Sequence, residues 1–300
     1  MAYRNIYVEN PAKISSRNNQ LLIETEQVHR VPIEDICSLL IENKRSSITT
    51  AALSILGESG VTVYFCDDKH LPCAIMTPFA RHSRELAVLK NQLNCSDPLK
   101  KRLWQKIVKA KIINQVKCLE YNHKNEHAIS LSSYVEKVRS GDSGNVEATV
   151  AMKYFPVLFG NTFVRSNDDV LNASLDYGYA ILRGCIARTL AVYGFQPALG
   201  LHHRSELNHF NLADDLIEPF RPLIDLIVST MEEFHGEDFN ADCRKLLFSS
   251  LSMDILSGNQ HHSVSFAIER LIKSLTKALS DGKSDLNLPE LLPLKLHTYE

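Results

Sequence analysis

The sequence predicts an α+β protein in which a small β-rich domain is followed by a larger all-α domain. Between Tyr3 and Met76 the chain is a series of short runs, rich in β-branched and aromatic residues and separated by turn formers. From about residue 85 to 282 nearly every segment has helical periodicity instead. The pattern changes around Thr77 to His82, and 300 residues suffice for two modest cores. The expected organisation is therefore a β-rich domain over 1–78, a linker over 79–84, a helical domain over 85–282 and a tail over 283–300.

In the first domain, Asn5–Val8, Gln20–Thr25, Ile36–Ile41, Val61–Cys66 and Leu71–Met76 read as strands, and Ser47–Gly57 reads as a short helix ended by its glycine. Nothing in it resembles a catalytic constellation, since Asp67 and Asp68 sit in a turn where Asp is common for backbone reasons. A scaffolding or substrate-guiding role is expected. In the second domain, Leu99–Lys124 carries eight Lys and Arg side chains against one acid, Glu120. With a net charge of −2 overall, any nucleic-acid role must come from such a local patch. A polyanion-binding surface and an ordinary solvated helix both fit it, and Lys101, Lys109 and Lys111 are the DNA-binding candidates.

A Gly/Ser/Asn/Asp loop over 140–145 opens a helix with Glu147 in its first turn, a position the helix dipole favours. Its small neighbours Ala148 and Ala151 let a second helix approach. A loop with Arg165 and Asn172 precedes an apolar helix whose charges, Arg183 and Arg188, suit phosphate or buried acids equally. Further core helices are expected at 226–232, 242–255 and 264–279, His261 and His262 are expected on a surface loop, and the tail is expected to dock on a neighbour or stay mobile.

Chemistry concentrates in Leu201–Asp225. On a helix from Leu212, the side chains of Leu212, Leu216, Ile217, Phe220, Leu223 and Ile224 share one arc, and Asp214, Asp215, Glu218, Arg221 and Asp225 the other. Asn211 is placed as N-cap. A carboxylate-rich face is commonly just solvated. Here Pro219 and Pro222 break the helix, at about 3 kcal/mol for an interior proline, and such local conflicts gather at functional sites. If Glu147, His203 and Glu218 converge, they offer one imidazole and two carboxylates, a set suited to Mg²⁺ or Mn²⁺ with positions left for water or a phosphate oxygen. Arg204, Arg221 or the basic helix would then neutralise phosphate charge.

Seven cysteines with no Cys-x-x-Cys pair read as reduced thiols and exclude a disulfide framework or a cysteine zinc site. No signal pattern and no apolar run of membrane length occur, so a cytoplasmic protein without a membrane partner is expected.

Leu201 to His203, followed by Asn211 to Asp225, resembles the signature of the CRISPR-associated integrase of spacer acquisition, the first Cas protein, nearest its type II branch. Glu147 with Ala148, Ala151, Tyr154 and Phe155, the run Asn172 to Tyr179, and the runs Leu39 to Glu42 and Val63 to Asp67 agree. The resemblance implies an N-terminal β-sandwich, a helical catalytic domain and a homodimer built partly through the N-terminal domain. It implies that Glu147, His203 and Glu218 hold a divalent ion, the 15-residue spacing selecting His203 over His202, with Asp215 as a nearby acidic site residue. Glu218 stands where many relatives have Asp, and Asp176 where relatives often have Asn. The implied reaction joins the 3′-hydroxyl of a captured DNA fragment to a phosphodiester at the leader–repeat junction of a CRISPR array, with metal-dependent DNA cleavage as its hydrolytic counterpart. Implied partners are double-stranded DNA, a dimer of the second Cas protein bridging two dimers of this chain, and the type II effector nuclease. A non-catalytic DNA-binding assembly subunit and a stand-alone metal nuclease are the rival readings.

Overall fold

Two four-stranded sheets share one core in the N-terminal unit. Its elements are β1 (Arg4–Val8), β2 (Lys13–Arg17), β3 (Gln20–Glu24), β4 (Val28–Pro32), β5 (Ile36–Ile41), β6 (Ser47–Ile48), α1 (Thr50–Ser59), β7 (Thr62–Cys66) and β8 (Pro72–Met76). The sheets run β1-β5-β7-β8 and β4-β3-β2-β6. Parallel β5 and β7 are joined through β6 and α1, the crossover that parallel neighbours need. Ile14, Leu21 and Ile23 of one sheet pack with Leu39, Ile41 and Val63 of the other and with Ala52 and Leu56 of α1. This computed structural model describes residues 4–68, 70–76, 84–231, 234, 236 and 238–298, and the chain divides into units 1–83 and 84–300. The expected change of pattern over 77–82 and, apart from Arg84, the expected linker lie outside the described residues.

The expected strands are present, and β2, β4 and β6 are additions. Their sequences, KISSR, VHRVP and SI, are too polar or too short to announce themselves, and partners across the sheet hold them. Asn18 and Asn19, both at positive φ, make the two-residue turn that sets the β2–β3 register. The helix begins three residues and ends two residues later than expected. Thr49 caps it by accepting from the Ala52 N–H, and Gly60, at φ 72°, ends it.

The C-terminal unit is built on α3 (Asp97–Tyr121), which follows α2 (Glu85–Leu93) and touches α4 (Asn125–Ser132), α5 (Val146–Phe159) and several later elements. The later elements are α6 (Val170–Val192), α7 (Asn211–Ile217), a 3-10 turn (Glu218–Phe220), α8 (Arg221–Thr230), α9 (Ala241–Ser249) and α10 (Val264–Asp281), of which α7, the 3-10 turn and α8 pack on α3. Because α3 is wrapped on most sides, Lys111, Asn114 and Gln115 are buried along with its apolar residues. Gly178 of α6 lets α8 come close, since a Cβ there would lie 2.5 Å from Ile224 Cγ2. Among the described residues no helix is long and apolar enough to cross a membrane.

This unit is not all helix. The segment expected to be helical to residue 255 turns after α9 into β9 (Asp254–Ser257), and His261 and His262, expected on a loop, lie in β10 (Gln260–Ser263). Gly258 and Asn259, both at positive φ, form the two-residue turn between them, a signal that periodicity alone passes over. The 226–232 segment is the end of α8, with Glu232 outside the described residues. Within its own unit the described part of the tail is held on the β9 side. Residues 289–290 form β11 on β9, and His297 Nδ1 donates to Asp254 Oδ1 at 2.8 Å. Asn114 of α3 ties the tail inward: its amide donates to the carbonyls of Pro219 (2.7 Å) and Pro289 (3.1 Å), and its oxygen accepts from Leu291 N–H (2.9 Å).

Asn114→Ala removes three buried hydrogen bonds and leaves two carbonyls and an amide unpaired. It is expected to lower stability by roughly 2–4 kcal/mol, read by denaturant unfolding, and to speed hydrogen exchange at Leu291. An unchanged midpoint and unchanged exchange would contradict this account of the tail.

Candidate active site

The stretch expected to be one interrupted amphipathic helix is buried nearly all round. Its apolar arc is core as expected, but Asp215 (0%), Glu218 (6%) and Asp225 (1%) on the other arc are buried too, so that arc is not a solvated face. Pro219 and Pro222 do not leave a ragged break. Each stands at the start of a new segment, where a missing N–H costs nothing, and the 3-10 turn between α7 and α8 absorbs the change. In a 3-10 turn residues i and i+3 nearly eclipse, and Arg221 Nε accordingly donates to Glu218 Oε1 at 2.9 Å. The Pro219 carbonyl freed by the turn is the one that Asn114 binds.

Glu147 and Glu218 are brought together on one cation. Glu147 sits in the first turn of α5, whose leading amides, those of Val146 and Glu147, donate to the Asp142 carboxylate at 2.9 and 3.0 Å. The ammonium of Lys111 donates to Glu147 Oε1 and lies 2.5 Å from Glu218 Oε2. Lys111, expected on a DNA-facing surface, is thus 7% exposed and enclosed by carboxylates. Burial alone would raise the Glu218 pKa and lower that of Lys111. The opposite charges win: Lys111 and Arg221 bring Glu218 down from 4.5 to about 2, and the two glutamates hold Lys111 above its ordinary value.

His203 is fixed by Asp215. The imidazole Nδ1 donates to Asp215 Oδ1 at 2.7 Å, and the same carboxylate accepts from the backbone N–H groups of Leu201 (2.6 Å), His202 (3.0 Å) and His203 (3.1 Å). Asp215 is therefore an orienting group with its oxygens engaged, and Nε2 is the nitrogen of His203 left for chemistry. The hydrogen bond that His203 donates to Asp215, opposed by burial and helped by the charges of Asp215 and Glu218, raises the proton affinity of His203 above the ordinary histidine value. His202 is turned away, stacked on Trp104 at 4.2 Å between centroids. Gly200 makes the turn possible, since a Cβ there would stand 2.4 Å from the His203 carbonyl and 2.8 Å from Asp215 Oδ2. Asn211 does not cap α7: its side chain binds the carbonyls of Ala198 and Ser205 and closes the loop carrying His203.

The remaining candidates separate. Arg221 joins the carboxylate cluster by pairing with Glu218, its guanidinium 4.5 Å over the Tyr179 ring. Arg165 also faces Tyr179, at 5.6 Å, and is held by Asn172 and Asp176. Arg204 is largely exposed, 3.7 Å from Asp97, and with Lys100 and His203 it lines an open cleft of about 450 Å³. Lys101 is exposed and packs its stem on Gly141, while Lys109 pairs with Glu136. Much of the basic helix is thus answered inside the protein, since Lys106 and Lys117 pair with Asp285 and Glu290 and Lys124 binds the carbonyls ending α5. Arg183, left open between phosphate and acid, pairs with Asp214 at 2.7 Å. Sequence reading did not find the Lys111 bridge, nor that Asp225 accepts from Tyr154 (3.0 Å) and Tyr179. Burial pushes the Asp225 carboxyl up to about 6 against those hydrogen bonds. Among the described residues no three His, Cys, Asp or Glu side chains stand in ligand geometry around a common point.

Because the folded Glu218 carboxyl titrates at about 2 and the unfolded one near 4.5, its contribution to stability is whole above 4.5 and is lost as pH falls toward 2. The shift corresponds to roughly 3 kcal/mol. Glu218→Gln is expected to flatten the acid limb of the metal-free protein's stability curve between those values. An acid limb as steep as that of the wild type would contradict the pairing.

Residues 6–253 match the family described as CRISPR associated protein Cas1. The CRISPR-associated endonuclease Cas1 of Neisseria meningitidis serogroup C is 44% identical over 305 residues, covering 100% of each chain. In fold the chain is similar to a casposase bound to integration product (TM-score 0.76, 20% identity, 96% of this chain and 93% of that one). It is also similar to a Cas6-RT-Cas1–Cas2 complex (TM-score 0.69, 18% identity, 96% of this chain and 37% of that one). The strand-rich start, the helical remainder and a full-length identity of 44% agree, and the chain belongs to the Cas1 family of CRISPR-associated proteins.

Proposed function

We propose that this Cas1 protein, an endonuclease and integrase of CRISPR adaptation, works on DNA at the cluster of Glu147, His203 and Glu218. The observation that carries this is one cation shared by Glu147 and Glu218, with His203 oriented by Asp215 and close enough to feel the charge of Glu218. Carboxylates that already hold a cation between them, next to an imidazole whose other nitrogen is tied back, form a donor set that fits Mg²⁺ or Mn²⁺. Such an ion, when bound, polarises a phosphodiester and favours an oxygen nucleophile at neutral pH.

The protein's own groups supply the rest. Asp215 keeps His203 in one tautomer and orientation, Arg221 holds Glu218 from its far side, and Lys100 and Arg204 offer positive charge to phosphates in the cleft beside His203. The incoming 3′-hydroxyl attacks phosphorus as the leader–repeat strand's own oxygen departs, so that one phosphodiester replaces another. Water in place of the 3′-hydroxyl gives cleavage. The structural likeness to a Cas6-RT-Cas1–Cas2 complex supports the second Cas protein as partner; in the proposed assembly it bridges two dimers of this chain, with the N-terminal unit contributing to the dimer.

The test is transfer of a labelled duplex with free 3′ ends into a supercoiled plasmid bearing leader and repeat, with the second Cas protein present and with Mn²⁺, Mg²⁺ or EDTA. Joined product is expected with metal only, lost on His203→Ala or Glu218→Gln, and reduced about 10–100-fold on Asp215→Asn, as for other groups that orient a metal-binding histidine. Joining that survives EDTA, or that persists in His203→Ala, would sink this assignment.

A further inference from the structure

Both oxygens of Glu218 already carry a cation: Arg221 Nε stands 2.9 Å from Oε1 and Lys111 Nζ 2.5 Å from Oε2. Lys111 also engages Glu147 Oε1, so the two carboxylates and the two cationic side chains sum to no net charge. The ammonium belongs to the middle of α3, and its side chain is 9% exposed. An apolar side chain there would leave two acids from two other elements without the cation they share, whereas the ammonium meets both.

Resting on the site assignment above, we propose that Lys111 is a resident counter-cation occupying the place of the metal ion in the metal-free protein and setting the affinity of the site. A divalent ion shared by Glu147 and Glu218 cannot keep the ammonium on the same oxygens, because like charges at contact distance repel strongly where water is excluded. Binding therefore requires Lys111 to give up both carboxylates. The metal-free site stays neutral and folded, and the ion is held more weakly than the ligand set alone would hold it. This differs from a structural salt bridge in sign. Losing a merely structural bridge would loosen the site and weaken metal binding, whereas losing a competitor strengthens it.

The full-length protein carries its own probe. Trp104, its single tryptophan, stacks on His202 and stands edge-on to His203 at 5.8 Å between centroids. Mn²⁺ titration followed by Trp104 fluorescence and by electron paramagnetic resonance of free Mn²⁺ compares wild type with Lys111→Met, His203→Ala and Glu218→Gln. Lys111→Gln replaces the methionine variant should that one fail to fold. Lys111→Met or Lys111→Gln is expected to bind Mn²⁺ at least about tenfold more tightly, equivalent to about 1.4 kcal/mol. Metal is also expected to raise its melting temperature more than that of the wild type. Affinity that is unchanged or weaker in the Lys111 variants, while Glu218→Gln and His203→Ala lose binding, overturns this proposal and leaves the site assignment standing. Binding indifferent to Glu218→Gln and His203→Ala overturns both.

Discussion

A single ammonium between two carboxylates governs the arrangement of the helical unit. Lys111 comes from α3, Glu147 from the first turn of α5, Glu218 from the 3-10 turn and Arg221 from the start of α8. An isolated charge in such a place costs several kcal/mol, and each of these groups is tolerable only because the others are present. The elements carrying them are therefore obliged to meet. Removing any one charge strands its partners, which makes the cluster a constraint on packing as much as a site for chemistry.

The parts of this arrangement were unequally visible in the sequence. Glu147, His203 and Glu218 could be named because a family motif links them, and the apolar arc from Leu212 to Ile224 because its period is that of a helix. What the opposite arc does was not visible, since a carboxylate-rich helix face looks the same whether it meets water or a buried lysine. Lys111 shows the same blindness from the other side. Within a run of basic residues it is indistinguishable from Lys101, yet one is enclosed and the other exposed, and only the elements packed around α3 decide which. Local turn chemistry explains the other differences. The positive-φ pairs Asn18-Asn19 and Gly258-Asn259 build hairpins from strands too polar or too short to be read by periodicity.

Asp215 illustrates how a buried carboxylate can order a loop and a ring at once. Its carboxylate gathers three successive backbone amides and one imidazole nitrogen, fixing the loop and the ring together. The arrangement needs the absence of a side chain at Gly200 and the closure of the loop by Asn211. These two residues carry no chemistry of their own, and no pattern of charge or hydrophobicity marks them. The same carboxylate that positions His203 also makes its ring more basic, so orientation and proton affinity are set by one hydrogen bond.

The buried amide of Asn114 ties the turn that carries Glu218 to a segment lying 175 to 177 residues beyond Asn114 itself. A polypeptide leaves the ribosome from its N-terminus, so Asn114 and the Glu218 turn emerge well before the strand-forming residues 289–290 that complete their hydrogen bonds. A truncation that removes residues 289–291 therefore takes away two of the three partners of Asn114 and acts directly on the turn that carries Glu218.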